Sequence, residues 1–101
     1  AQETPPLPPE VALLEDKKLD QFANAYVAIE RIHAQAERAL ATSPDTESAS
    51  RVEEEAQIAM VQAVERSGLV VEEFNQIATL AELNPDLGAE VARRVDARRG
   101  I

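Results

Sequence analysis

Apolar residues recur at three- and four-residue spacing in four stretches of this chain, separated by short polar breaks. From Asp16 to about residue 41 they fall at Leu19, Phe22, Ala23, Tyr26, Ile29, Ile32 or His33, Ala36 and Leu40, the stripe of a long amphipathic helix. Asp16 is the expected N-cap, because a short carboxylate can accept from the orphan amides of a first turn, and a frayed turn over Glu10 to Leu14 is expected before it. Thr42-Ser43-Pro44-Asp45 should end the helix, since the proline biases Ser43 away from helical geometry. A second helix is predicted over about 47–66, with Val52, Ala56, Ala59, Met60, Ala63 and Val64 inward. Ser67-Gly68 closes it, with Gly68 in a left-handed C-cap and Leu69 or Val70 packed back over the end.

The third stretch predicts a helix over about 71–83, with Val70, Phe74, Ile77, Ala78 and Ala81 on one face. Asn84-Pro85-Asp86 then reads as a joint. Asn84 caps, Pro85 takes the first helical position, and Asp86 sits at the positive end of the dipole. A short fourth helix over about 85–98 would turn Leu87, Val91 and Val95 inward and fray before Gly100. Loops this short make sequential neighbours antiparallel, so the expected fold is all-α, a small antiparallel helical bundle of two long and two short helices. Residues 1–13 form a Pro-rich N-terminal arm, 14–98 a single helical domain and 99–101 a tail. Ile58, Val61 and Leu80 lie off the main stripes, where they cover the bundle or form a patch for self-association.

Composition narrows the partners. The chain has 101 residues and a formal net charge of -9, which repels nucleic acid at long range. The charge is uneven: residues 91–101 hold four arginines against Asp96, while residues 1–90 hold six bases against eighteen acids. Arg93, Arg94, Arg98 and Arg99 complement the dipole of a last helix, and they are also the place where an anionic partner would bind. Phe22, Tyr26 and Phe74 are the whole aromatic content, so the core is built from small and branched side chains. No apolar run reaches the roughly 18 residues of a membrane span. Ala1 ahead of a polar, Pro-rich arm resembles the residue left by signal-peptidase cleavage, which makes a periplasmic or secreted location the expectation.

The candidate chemistry is sparse. The chain has no cysteine, so disulfides and thiolate chemistry are excluded. Glu30, His33 and Glu37 share one side of the first helix and are the candidate metal ligands. A lone histidine lacks the ligand count of a stable site, and no cofactor is expected. Glu53-Glu54-Glu55 spreads over about 200° of helix and cannot converge on one ion. The serines have no histidine placed to activate them, and the three glycines are isolated at Gly68, Gly88 and Gly100, so neither a hydrolase nor a phosphate loop is expected. Glu72 and Glu73 have a sufficient reason at a helix start. Asn75 does not, because asparagine is a mediocre interior helix residue; it is read either as a hydrogen-bonding amide reaching the 66–69 turn or the 84–86 joint, or as a binding residue.

Leu19-Asp-Gln-Phe-Ala-Asn-Ala-Tyr-Val-Ala-Ile29, Met60-Val-Gln-Ala-Val-Glu-Arg-Ser-Gly-Leu-Val-Val-Glu-Glu-Phe-Asn-Gln-Ile-Ala78 and Asn84-Pro-Asp-Leu87, taken together, resemble the small exported bacterial domain known as domain of unknown function 4168. The resemblance spans about residues 14–96, and its signature positions here are Phe22, Gly68, Leu69, Glu72, Phe74, Asn75, Ile77, Asn84 and Pro85. It implies export behind a signal peptide and no established activity. Family members tend to have serine at the position of Val70, and valine cannot cap the third helix. The expectation is therefore a non-enzymatic exported helical module whose partner is an envelope protein or a second copy. A weak metal-ion or small-ligand binder and a periplasmic holdase are the alternatives.

Overall fold

The computed structural model describes residues 15–99, so the proline arm and the expected turn over 10–14 lie outside the described residues. Four helices follow in order: α1 Asp16–Ala41, α2 Thr46–Arg66, α3 Val71–Leu83 and α4 Pro85–Arg98. Their limits agree with the periodicity to within a residue. One cap differs. Glu15, and not Asp16, is the N-cap of α1, and its side chain makes no capping bond; Asp16 is instead the first helical residue, free to reach α4. At the tip, Asp45 caps α2 by accepting from the Ser48 amide at 2.8 Å.

The turn after α2 shows how a single glycine sets a helix direction. Gly68 has φ +101°, a conformation that costs other residues a steric penalty. The Leu69 amide donates to the Val64 carbonyl at 3.3 Å and the Gly68 amide to the Glu65 carbonyl at 3.1 Å, the paired bonds of a Schellman motif. Leu69 and Val64 are both buried, and they supply the apolar contact that accompanies the motif. Leu69 is thus the residue that folds back, while Val70 is 55% exposed and does not join the inward face of α3. The start of α3 is held from the other direction, because the Glu73 carboxylate accepts from the Val70 amide.

α1 is the central element. It packs against α2 on one side and α4 on another, and α3 rests mainly on α4. That arrangement explains why buried residues wrap around α1: Leu19, Phe22, Ala23, Ala25 and Val27 are all buried, a wider set than one stripe provides. Phe22 stacks on Phe74 with ring centroids 4.6 Å apart. Ile77, Val91 and Val95 complete the core. Tyr26, expected inward, is 39% exposed and lines an open cleft between α1, α3 and α4. Gly88 permits the tight joint, since a Cβ there would stand 2.8 Å from the Ala81 carbonyl oxygen.

Among the described residues, every buried one belongs to one end of the molecule. Between residues 28 and 63, in the distal halves of α1 and α2, not one residue is fully buried. Ile32, Ala36, Ala39, Val52, Ala56 and Ala59 form a seam with partial cover only. The bundle is therefore closed by four helices at one end and is a two-helix hairpin at the other.

Candidate interaction surface

The four C-terminal arginines are not a free basic tail. Arg94 reaches Asp20 at 2.7 Å, Asp16 at 2.8 Å and Glu90 at 2.9 Å. Arg98 donates to Asp20 at 3.0 Å, and Arg99 pairs with Glu30 and Asp96. Arg93 pairs with Glu90. The hydrogen bond that Arg94 donates to Asp20 holds the Asp20 carboxyl below its ordinary range and raises the already high pKa of Arg94. The α1 carboxylates Asp16, Asp20 and Glu30 and the C-terminal arginines thus neutralise each other, and their register shows α4 running in the same sense as α1 along this seam. Sequence reasoning missed this pairing. Its signal was the match between Asp16 and Asp20, one turn apart on α1, and Arg94 and Arg98, one turn apart on α4.

The paired Glu72-Glu73 resolves in the same way. Glu73 binds Lys18 at 2.8 Å across to α1, and that bond, with the one from the Val70 amide, holds its carboxyl below the ordinary range. Glu72 is exposed. Asn75 is also exposed, and its amide reaches neither the 66–69 turn nor the 84–86 joint; only its backbone oxygen is engaged, accepting from Thr79. Asn84 caps α4 by accepting from the Asp86 and Leu87 amides, with Pro85 at the first position. Most of the signature positions are therefore parts of joints or core.

The three candidate metal ligands are not brought together. His33 lies 3.0 Å from Glu37, each about two-thirds exposed, whereas Glu30 is held by Arg99. Among the described residues no group of three histidines or carboxylates is placed to hold a metal ion.

Hollows of about 330 and 250 Å³ lie beside Asn75 and Leu80 on α3 and between α1 and Arg99, and two further concave surfaces remain. A cleft of about 330 Å³ lies between α1, α3 and α4, with Phe22, Tyr26, Val91 and Val95 in its walls and Glu82 and Arg99 at its rim. Arg99 is already paired with Glu30 and Asp96, so Glu82 leaves the rim acidic. The larger surface is a groove along one side of the hairpin, made of two contiguous hollows of about 610 and 250 Å³ that share Ile32, Gln35 and Ala59. Its floor is aliphatic, with Ala28, Ala36, Ala56 and Ala63 beside those residues. Arg31 and Arg66 stand at the core-proximal end.

The charge of this groove is opposite to that of the chain. Of the ten lysines and arginines, Lys18, the three α4 arginines and Arg99 are paired with carboxylates. Among the described residues the arginines without a carboxylate partner are Arg31, Arg38, Arg51 and Arg66, and all four belong to the hairpin. Arg31, Gln35 and Arg38 follow i, i+4, i+7 spacing on α1; Arg51, Glu55, Gln62 and Arg66 follow i, i+4, i+11, i+15 on α2. Those spacings put each set on one helix face, the side on which Gln35, Glu55 and Gln62 line the groove. An aliphatic groove edged by uncompensated arginines is suited to an apolar helix flanked by carboxylates.

A family model described as domain of unknown function (DUF4168) matches residues 15–91. No curated protein and no solved structure matches the chain.

Proposed function

The chain belongs to the domain of unknown function 4168 family, and on that footing we propose that it is a non-enzymatic exported module that binds a protein partner in the cell envelope through the hairpin groove. The observation that supports this reading is the contrast in pairing. The molecule neutralises its C-terminal arginines internally and leaves the hairpin arginines uncompensated beside an aliphatic seam. Pairing of the groove with a membrane is the poorer fit, because the apolar side chains are recessed and not protruding, and no described helix is long and apolar enough to cross a bilayer.

The test is capture from envelope extracts with wild-type protein and with Arg31→Glu/Arg66→Glu, alongside Glu82→Gln as a control in the cleft. Loss of a specific partner in the groove variant alone is the expected result. Equal capture by all three proteins would refute the groove, and cell fractionation placing the native protein in the cytoplasm would refute export.

A second reading, binding of a small ligand, draws on the cleft, whose volume and aromatic walls fall in the range of small-molecule sites. Tyr26→Ala would then abolish a ligand-induced rise in melting temperature that Arg31→Glu leaves intact.

A further inference from the structure

The hairpin carries a second surface that fits the first. On the outer side of α2, turned away from α1, Glu54, Ile58, Val61 and Glu65 follow i, i+4, i+7, i+11 spacing, one continuous stripe of a helix. Ile58 is 59% exposed, and Glu54 and Glu65 are exposed with no basic partner among the described residues. This ridge is an aliphatic pair with a carboxylate at each end. The groove has an aliphatic floor lined at one end by Arg31 and Arg66, and helix spacing puts Arg38 and Arg51 on the same side toward the other end, where Glu55 also lines it.

We propose that the occupant of the groove is the α2 ridge of a second copy of this chain. This rests on the reading of the groove as a protein interface and names its partner. Ile58 and Val61 would lie over Ile32 and Ala59, with Glu54 and Glu65 against the arginines at the two ends. The two carboxylates are about 16 Å apart along the helix, a span that long arginine side chains can meet. Groove and ridge are different surfaces, so the contact is head-to-tail and leaves each copy with a free groove at one end and a free ridge at the other. A single helix laid in a trough buries on the order of 1,000 Å², near the lower limit for specific interfaces. The association is therefore concentration-dependent, and its arginine–carboxylate contacts are screened by salt.

Sedimentation velocity of the full chain at low and high salt tests this, with two charge-reversed proteins: the groove variant Arg31→Glu/Arg66→Glu and the ridge variant Glu54→Arg/Glu65→Arg. All the substituted residues are exposed, and circular dichroism checks that each variant remains helical. Wild type is expected to gain mass with concentration up to about 0.5 mM and to lose that gain as salt shortens the screening length from about 10 to about 4 Å. Each variant alone should be monomeric, and an equimolar mixture should associate again, as pairs only, because the unaltered groove of the ridge variant still accepts the unaltered ridge of the groove variant. A wild type that stays monomeric throughout overturns the proposal, as does a ridge variant that still self-associates, the signature of groove-to-groove pairing. A monomeric wild type that nevertheless captures an envelope partner through Arg31 and Arg66 overturns self-docking and leaves the broader function standing.

Discussion

The closed end and the hairpin end of this molecule use the same helices differently. At the closed end α1 is covered by α2, α3 and α4, so that Phe22, Ala25 and Ile77 are almost fully buried and arginines and carboxylates are matched across α1 and α4. At the other end the same α1 meets only α2 among the described residues, its seam is made largely of alanine, and the arginines beside it have no carboxylate partner there. A two-helix pair cannot enclose a core, so the hairpin cannot be explained as a stability element in its own right. The contrast separates residues that hold the fold from residues available to a partner.

The largest effect expected from this contrast is a core truncation. Ile77→Ala should lower the unfolding free energy by about 2–5 kcal/mol, read by chemical denaturation, while Ile58→Ala on the hairpin should stay within about 0.5 kcal/mol. Comparable losses at the two positions would erase the distinction. Next comes Gly68→Ala, which forces an L-residue into φ +101° with its Cβ against the Gln21 amide. A loss of about 1–2 kcal/mol is expected, and an unchanged denaturation midpoint would mean the turn relaxes freely.

Acid titration sharpens the electrostatic half of the comparison. Asp20, Glu73 and Glu90 have carboxyl pKa values held below their ordinary 3.8 and 4.5 by hydrogen bonds from Arg94, Lys18 and Arg93 respectively. A carboxyl with a depressed folded pKa stabilises the fold fully above its unfolded value, and that stability is lost as pH falls through the folded value. Stability should therefore decline below the ordinary carboxyl range, and Arg94→Gln should flatten that decline by removing the main partner of Asp20. Charge removal at Arg38, which has no carboxylate partner among the described residues, should leave the acid limb unchanged. The smallest effect is local: Asp45→Ala removes the cap of α2 and should speed amide exchange over residues 46–49 with little change in global unfolding.

Much of this fold was legible in the sequence. The four helices, the Gly68 turn and the Asn84-Pro85 joint each rest on local rules of periodicity, backbone conformation and capping, which act within a few residues. Tyr26, Val70, Ala25 and Val27 departed from the expected stripes for a tertiary reason, since burial on α1 is set by covering helices distant in sequence. The arginine clamp was hidden for the same reason: Arg94 and Asp20 are 74 residues apart, and a local reading assigns Arg94 to the dipole of its own helix. The groove was the least legible feature. The stripe of Val52, Ala56 and Ala59 reads as core, and only the packing shows that no helix among the described residues closes over it.

Amide hydrogen exchange resolved by residue tests the division most directly. Amides of Phe22, Val27, Ile77 and Val91 should exchange only through global unfolding, and those of residues 32–40 and 47–60 should exchange through sub-global opening at lower free energy under conditions where the protein is monomeric. Uniform protection along α1 and α2, from Leu19 to Leu40 and from Glu47 to Val64, would contradict the account of a closed core bearing an open hairpin.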